Sequence, residues 1–281
     1  MLKVLFLANA AKPDYMCDMV YHGLKSSSEI EAEEIRTPHY MYDYYADKDK
    51  LYGMGFTLYQ RLTQRPKKIS LLQMLSSVGK KRYDYVIYGS IARYSKFFGF
   101  IALFYDRSKL LVIDGEDDTQ IRKRFVNRAT YFKRELDQPD SNLCPINFAI
   151  PEELIVRGMP AKTKRLGHII PGNLKTYIYK QEANYYSDYQ DSVFGMTMKK
   201  AGWDCLRHYE ILMNGCIPYF KDIESCPSRT MVELPKELIL KLNSMYDSGT
   251  SFDPKPYIEQ LLHHTRERLT TRQLIKRVLK I

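Results

Sequence analysis

The sequence has few cysteines, and none of them stands in a metal-binding or redox arrangement. Its five cysteines include no Cys-x-x-Cys pair, and no histidine lies at a zinc-ligand spacing from such a pair. An odd number of cysteines without a secretory signal is typical of reduced thiols in a cytosol. We therefore expect no structural zinc.

Long apolar runs are also missing from the chain. No stretch approaches the roughly 20 apolar residues that a membrane-spanning helix needs. The opening residues 1–10 carry one lysine and a short apolar run, which predicts a buried strand and not a signal peptide. We expect a soluble protein of the cytoplasm, which would be the host cytoplasm for a viral protein.

Glycine is absent from the first loop, between Ala8 and Asp14. The Gly-x-Gly-x-x-Gly cradle of dinucleotide-binding enzymes is therefore missing, which argues against such an enzyme. Tryptophan is scarce as well, with one Trp against 23 Tyr. Tyrosine combines apolar area with a polar tip, which suits clefts and partner surfaces.

Positive charge is what the sequence has in excess, with 43 Lys and Arg against 33 Asp and Glu, a net charge of +10. This balance favours an anionic partner, although a merely soluble basic protein explains it equally well. One basic segment is interleaved with Phe125, Tyr131 and Phe132. Its cations are Arg122, Lys123, Arg124, Arg128, Lys133 and Arg134. Such a segment is either a groove for a polyanion such as DNA or an amphipathic helix with a solvated basic face.

The order of apolar segments predicts an α/β protein with two Rossmann-like lobes and a cleft between them, and 281 residues suffice for two lobes. Strands are expected at residues 2–8, 30–35, 83–88, 110–113, 166–170, 192–197 and 216–220. Helices are expected at residues 15–24, 70–78, 182–189, 205–214, 236–246 and 257–279. A Pro- and Gly-containing stretch, 151–172, is the expected connection. We predict a first lobe of residues 1–155 and a second of 156–281 that includes the closing helices.

The segment 199–218 carries the most chemical information. A helix beginning near Asp204 would offer free amides and a partial positive charge to a diphosphate. Lys199, Lys200 and Arg207 are spaced to neutralise a leaving phosphate. Glu210 lies one turn after Arg207, where its carboxylate would accept both hydroxyls of a ribose. The alternative is a surface ion pair between Arg207 and Glu210.

This segment resembles the donor-binding motif of glycosyltransferases with the GT-B fold, including exostosin-like families and phage DNA glycosyltransferases. The residues that carry the resemblance are Arg207, Tyr209-Glu210, Gly215 and Ile217-Pro218. The resemblance implies a nucleoside-diphosphate sugar as co-substrate, no other cofactor and no metal. The donor contacts that it implies are Lys199, Lys200, Trp203, Asp204, Arg207, His208 and Glu210. A second family glutamate, seven residues before Glu210, is replaced here by Trp203.

Two loops offer a catalytic base. Residues 114–118 follow a predicted strand, and carboxylates at the carboxyl edge of a parallel sheet face the ligand crevice. Glu116 or Asp117 would then deprotonate an acceptor hydroxyl, unless the cluster holds a metal or caps a helix. In GT-B enzymes the first loop supports the acceptor, which makes Asp14 and Asp18 candidates too. Asp14 serves equally well as the cap of the helix at residue 15.

Three functions compete on the sequence alone. The first is sugar transfer to hydroxymethylated cytosine in DNA, as in phage enzymes, which the net charge and compact size favour. Aromatic wedges for a flipped base would come from the tyrosines of the 38–65 segment, namely Tyr40, Tyr42, Tyr44 and Tyr45, unless these pack the lobe. The second is transfer to a cytoplasmic glycan such as lipopolysaccharide or capsule. Residues 133–136 look like a segment near the acceptor side of related transferases, which would make Arg134 functional without DNA. The third is a non-enzymatic nucleic-acid-binding protein, which leaves the 202–218 segment without a role.

Overall fold

A computed structural model describes residues 1–281 of the chain. The strands are β1 (Leu2–Leu7), β2 (Ile30–Glu34), β3 (Tyr85–Tyr88), β4 (Leu110–Asp114), β5 (Thr130–Lys133), β6 (Leu143–Pro145), β7 (Lys164–Leu166), β8 (Ser192–Thr197) and β9 (Ile217–Phe220). The helices are α1 (Tyr15–Ser26), α2 (Leu71–Gly79), α3 (Phe98–Ile101), α4 (Lys123–Val126), α5 (Glu182–Asp191), α6 (Leu206–Met213), α7 (Lys236–Asp247), α8 (Lys255–Arg268) and α9 (Thr271–Leu279). None of the helices is both long and apolar enough to cross a membrane.

The first lobe is built on a six-stranded parallel sheet in the order β2-β1-β3-β4-β5-β6. Its central strands are mostly apolar because helices or loops cover both faces. In β4, all five residues from Leu110 to Asp114 are buried. The order reverses between β1 and β3, which is where a doubly wound sheet opens a crevice at its carboxyl edge.

The second lobe is built on a smaller parallel sheet, β7-β8-β9. Helix α6 ends at Met213, and Gly215 then takes a φ of 63° that reverses the chain into β9. Gly215 thus follows the end of the helix that the sequence predicts over residues 205–214. Both sheets are parallel and a cavity lies between them, which confirms the expected α/β class with two Rossmann-like lobes and a cleft between them.

The final helix returns to the first lobe. Helix α9 packs against α1, where the Nδ1 atom of His22 lies 2.9 Å from the hydroxyl of Thr271. The two chain segments that connect the lobes lie side by side, with backbone hydrogen bonds from Ile150 to Leu269 and from Thr271 to Ile150. The lobe boundary near residue 155 stays a prediction, but α9, assigned above to the second lobe, packs on the first.

Three predicted segments differ from the structure. The helix expected over 257–279 is two helices, because Thr270 caps α9 through the amide of Gln273 and the chain bridges to Ile150 at the break. The basic segment 122–136 is neither a polyanion groove along its length nor a helix; it contains the short α4 and the buried strand β5. The strand expected at 166–170 runs instead over Lys164–Leu166.

Substituting Gly23 with alanine is expected to destabilise the protein by about 1–3 kcal/mol through overpacking. A Cβ atom at this position would lie 2.3 Å from the carbonyl oxygen of Thr271, which belongs to the backbone and cannot rotate away. Chemical denaturation of the variant measures the loss. Gly99→Ala is the matched control, since no atom lies within 4 Å of its added Cβ; equal losses in both variants would contradict the proposed contact.

Candidate active site

A cavity lies where the carboxyl ends of the two parallel sheets face each other. It has a volume of about 510 Å³ and is lined by residues from both lobes. Segments after β1, β2, β4 and β6 supply its first-lobe wall, and segments after β7 and β8 supply its second-lobe wall. The lining residues are Tyr15, Tyr52, Gly53, Met54, Phe56, Asp117, Phe148, Ile169, Tyr177, Tyr179, Tyr185, Lys200, Ala201, Gly202, Asp204, Cys205, Leu206, Arg207 and Glu210.

Arg207 presents an unpaired cation to this cavity. It stands in the first turn of α6, where no side chain caps the helix and the first amides have no intrahelical partner. Its Nε and Nη1 atoms are buried and have no hydrogen-bond partner. The guanidinium carbon lies 5.1 Å from the centre of the Tyr177 ring, and Lys200 lies 5.9 Å from the same ring. A helix N-terminus and an unpaired arginine together form a site for an anion.

Glu210 lies on the same helix and reaches the same cavity, although only 7% of the residue is exposed. Its carboxylate accepts hydrogen bonds from the hydroxyls of Thr57 and Tyr185, and not from Arg207. The surface ion pair considered for Arg207 and Glu210 is therefore wrong. Burial raises the pKa of Glu210 above the usual range of a glutamate.

A first-lobe segment, residues 48–61, reaches across to the second lobe; we call it the strap. Its contact point is Glu182 at the start of α5, which accepts hydrogen bonds from Lys48, Arg61 and the amide of Thr57. Thr57 is fully buried at a φ of 69°, a conformation that is rare for a β-branched residue and costs about 1–3 kcal/mol. Sequence reasoning left this segment irregular because it has no period of either a helix or a strand.

The loop before α6 is held by two first-lobe residues. Glu135 accepts hydrogen bonds from the amides of Trp203 and Asp204, each at 3.0 Å. A Cβ atom on Gly202 would lie 2.5 Å from the Glu135 carboxylate, so this close approach requires glycine. Arg134, which is 1% exposed, donates to the carbonyl of Asp204 and to the carboxylate of Asp117. The Arg134–Glu135 pair thus fixes the loop before α6 against the loop after β4.

Asp204 lines the cavity, but its carboxylate is engaged elsewhere. It accepts hydrogen bonds from the amide of Phe148 at 2.6 Å and from the hydroxyl of Tyr209 at 2.7 Å. Burial raises the pKa of Asp204 to about 7. Its carboxylate therefore joins the two lobes through these two hydrogen bonds.

Of the remaining predicted donor contacts, Lys200 lines the cavity and three residues lie outside it. His208 is fully buried, with Nε2 donating to the carbonyl of Trp203 at 2.9 Å and Nδ1 accepting from Thr197 at 2.8 Å. Burial lowers the pKa of His208 to about 3, so the ring is neutral. Lys199 lies 4.8 Å from the Trp203 ring, outside the cavity. His208, Lys199 and Trp203 therefore lie outside the cavity that Lys200 and Arg207 line.

Among the four predicted catalytic carboxylates, Asp117 alone lines the cavity. Its side chain is 58% exposed and contacts Arg134. Glu116 pairs with Arg93 at 2.8 Å, and Asp14 caps α1 through the amide of Cys17. Asp18 is 1% exposed, and burial raises its pKa well above the ordinary value. The catalytic roles considered for Glu116, Asp14 and Asp18 are therefore not supported by their positions.

The carboxylates of residues 114–118 do not converge on a metal position. Asp114 pairs with Arg122 and Lys133, and Asp118 also contacts Lys133. No group of three or more His, Cys, Asp or Glu side chains is arranged to hold a metal ion. Each carboxylate here is balanced by a cation of the same lobe, as expected for structural ion pairs.

Half of the cations in the basic segment form ion pairs within the first lobe, and the other half are exposed. Arg122, Lys133 and Arg134 are engaged with Asp114, Asp117 and Asp118 inside the lobe, so they do not face a polyanion. The exposed cations are Lys123, Arg124 and Arg128.

The tyrosines considered as base-flipping wedges do not line the cavity. Tyr40 and Tyr42 are buried in the first lobe. Tyr44 is exposed but stacks on Tyr42, with 5.4 Å between the ring centres, and Tyr45 packs against the lobe's core. These residues pack the lobe, which was the alternative left open by the sequence.

Sequence reasoning missed the aromatic wall of the cavity. Tyr177, Tyr179 and Tyr185 line one side, and Tyr15 and Tyr52 line another. The abundance of tyrosine suits a cleft but does not say which tyrosines line it. Only those that follow β1 and β7 could have been assigned to the cavity from the sequence. Residues at the carboxyl ends of parallel strands face the crevice, whereas the strap joins the site through tertiary contacts alone.

The nucleoside-diphosphate binding that the sequence predicts is expected to weaken on acidification, as Glu210 takes up a proton. Burial raises the pKa of this carboxyl, so the ionised, hydrogen-bond-accepting form is complete above that pKa and is lost as the pH falls through it. Titration calorimetry in a series of buffers from neutral to acidic pH measures the effect. Glu210→Gln is the control, because an amide does not titrate; the same acidic loss in that variant would contradict the assignment.

No family model matches the chain, and no curated protein does. Among solved structures, the chain is similar to the crystal structure of Acinetobacter baumannii MurG, with 10% identity over the whole of both chains and a TM-score of 0.41. It is also similar to an alpha-glucosyltransferase in complex with UDP and a 13-mer DNA containing an HMU base, with 9% identity over the whole of both chains and a TM-score of 0.47. At these values neither likeness assigns a ligand or an activity to the chain, whose architecture is given by its own two parallel sheets.

Proposed function

We propose that the protein is a glycosyltransferase that moves a sugar from a nucleoside-diphosphate sugar to a hydroxyl acceptor. The observation that carries this proposal is that Arg207 and Glu210, on one helix, both line the cavity without bonding to each other. An unpartnered buried guanidinium and a buried carboxylate face the same interlobe cavity at the N-terminus of α6. A nucleoside diphosphate offers the complementary groups, an anionic diphosphate and two ribose hydroxyls.

In this proposal each wall of the cavity has a separate task. The amides of the first turn of α6, with Arg207 and Lys200, hold the diphosphate. The carboxylate of Glu210 accepts hydrogen bonds from the ribose, and the Ile169 and Tyr177 wall packs against the nucleobase. No metal ion and no further cofactor is required by this assignment.

Asp117 is the proposed general base. The acceptor hydroxyl oxygen attacks the anomeric carbon and gives its proton to the Asp117 carboxylate. The bond from that carbon to the diphosphate oxygen breaks, and its electron pair leaves on the diphosphate. Arg207 and Lys200 stabilise the negative charge that develops there.

A panel of nucleoside diphosphates tests the donor half of the proposal by thermal unfolding. A nucleotide at a hundredfold excess over its dissociation constant adds about 2.7 kcal/mol to the stability of the folded state. We expect one of uridine, guanosine, adenosine or cytidine diphosphate to raise the unfolding temperature clearly. If none does so while DNA alone does, a non-enzymatic nucleic-acid-binding protein replaces the transferase.

For the acceptor we propose hydroxymethylated cytosine in DNA. The support is the net charge of +10 and the exposed cations that follow the Asp117 loop in the first lobe, Lys123, Arg124 and Arg128. The internal pairing of Arg122, Lys133 and Arg134 reduces this surface to half of its predicted size.

Changing Lys123, Arg124 and Arg128 together to glutamine is expected to weaken DNA binding and to flatten its salt dependence. The slope of log K against log salt is negative, and each lost phosphate contact reduces its magnitude by about 0.9. Loss of three contacts reduces its magnitude by up to about 2.7. Fluorescence anisotropy with a hydroxymethylated duplex measures the slope. Lys241→Gln with Lys255→Gln, both exposed on the second lobe, is the control. A slope that is the same in all variants would favour a glycan acceptor.

A further inference from the structure

We propose that Thr57 is a positioning residue for the donor site: its hydroxyl holds the Glu210 carboxylate in the orientation that receives the ribose. The inference rests on the proposed function, because it assumes that Glu210 binds a nucleoside diphosphate. It adds that the donor site is a composite of both lobes, since Thr57 belongs to the first-lobe strap and Glu210 to the second lobe.

The hydrogen bonds of Glu210 define its orientation. The Thr57 hydroxyl donates to Oε1, and the Tyr185 hydroxyl donates to Oε2 at 2.7 Å. A carboxylate has about four acceptor positions, two on each oxygen, so one position on each oxygen remains for a ligand. Two remaining positions on a fixed carboxylate match the two adjacent hydroxyls of a ribose.

The position of Thr57 is determined by the second lobe. Its amide donates to Glu182 at 2.6 Å, and its hydroxyl lies 2.7 Å from that of Tyr186. The neighbouring Phe56 stacks on Tyr185 with 5.7 Å between the ring centres. Contacts with α5 therefore set where the hydroxyl lies, independently of any ligand.

The backbone of the strap gives a second, independent reason to assign a role to this side chain. Positive φ angles occur at Gly53, Met54, Gly55, Thr57 and Gln60. Glycine adopts this conformation without steric cost, whereas a β-branched residue is an outlier there. The turn itself disfavours a fully buried threonine at a φ of 69°, so we attribute the presence of Thr57 to the contacts of its side chain.

The test compares Thr57→Val with Thr57→Ser in binding the four nucleoside diphosphates of the panel, by titration calorimetry. Valine keeps the shape and the branched strain of threonine but lacks the hydroxyl, and serine keeps the hydroxyl. We expect Thr57→Val to weaken binding roughly tenfold to a hundredfold, the usual effect of removing a hydrogen bond to a charged group. Thr57→Ser is expected to stay within about threefold of the wild type. Thr57→Ala replaces valine should that variant not fold.

Two further readouts separate positioning of Glu210 from general support of the fold. The hydrogen bond from Thr57 lowers the pKa of Glu210, so its loss should move the acidic limb of nucleotide binding to higher pH. The other titratable groups that interact with Glu210 are unchanged in the variant; they are Tyr15, Glu182, Tyr185, Tyr186, Tyr189, Cys205 and Arg207. In a Glu210→Gln background, Thr57→Val should have little additional effect on binding.

The outcomes distinguish this inference from the proposed function. If the wild type binds a nucleotide and Thr57→Val binds it equally well, or with an unchanged pH profile, the role of Thr57 is overturned and the transferase stands. If Thr57→Val adds its full effect to that of Glu210→Gln, Thr57 does not act through Glu210. If the wild type binds none of the four nucleotides, both proposals fall.

Discussion

Replacing Arg207 with methionine is expected to abolish measurable nucleotide binding without lowering the unfolding temperature of the free protein. Methionine keeps the length of the side chain but removes the only guanidinium that faces the cavity. Loss of one partner of a buried charge pair costs about 2–5 kcal/mol, which corresponds to a loss of roughly 30-fold to several thousandfold in affinity.

Although nucleotide affinity falls in this variant, the free energy of unfolding of the ligand-free protein should rise or stay unchanged. In the absence of a ligand, the Nε and Nη1 atoms of Arg207 are buried without partners, which is an unfavourable arrangement for a cation. Removing them takes away that cost. A residue that lowers stability in the free state and raises affinity in the bound state is characteristic of a functional site.

Arg229→Met is the matched control for this experiment. Arg229 lies outside the cavity, and its guanidinium donates to the backbone carbonyls of Asp140 at 2.8 Å and Leu143 at 2.7 Å. This variant should lose stability and keep its affinity for the nucleotide. The donor assignment would be contradicted if Arg207→Met bound the nucleotide with wild-type affinity.

Asp117→Asn is expected to reduce the turnover rate about 10²- to 10⁴-fold, the usual contribution of a general base. Asparagine has the same shape as aspartate and accepts hydrogen bonds, but it does not take a proton from an acceptor hydroxyl at neutral pH. Because Asp117 is proposed to act on the acceptor, the dissociation constant of the nucleotide should change little. Release of the nucleoside diphosphate during turnover, measured alongside calorimetric binding, separates the two quantities.

Glu116→Gln is the control, because Glu116 is adjacent in sequence but pairs with Arg93 outside the cavity. We expect its turnover to remain within a few-fold of the wild type. Equal turnover in Asp117→Asn and the wild type would remove Asp117 from catalysis, and a loss confined to Glu116→Gln would exchange their roles.

The helical period explains both the success and the failure of sequence reasoning on α6. Residues three apart lie on one helix face, so Arg207 and Glu210 were expected to face the same side of the helix, and both line the cavity. His208 is one residue further than Arg207, about 100° round the helix, and faces Thr197 in the core. The sequence gives the angle between these side chains, but the packing of α6 against β8 and β9 decides which face meets the cavity.

In the acidic loop after β4, too, the sequence predicts the position of the loop, whereas tertiary contacts decide which side chain lines the cavity. Its place at the carboxyl edge of a parallel sheet was predictable from the apolar run that precedes it. Which of Glu116 and Asp117 lines the cavity was not predictable from the sequence. It depends on ion pairs with Arg93 and Arg134, which belong to other segments of the chain. Ion pairs between remote residues leave no periodic signal in a sequence.

The sequence by itself determined what local physics controls: the buried parallel strands, the glycine that ends α6, and the joint presentation of Arg207 and Glu210. The tertiary structure alone decided which side chains share the cavity. It brought the strap to Glu182 and Glu210, returned α9 to the first lobe, and turned half of the basic segment inward. These features depend on contacts between residues far apart in the chain, and no local preference of the backbone encodes them.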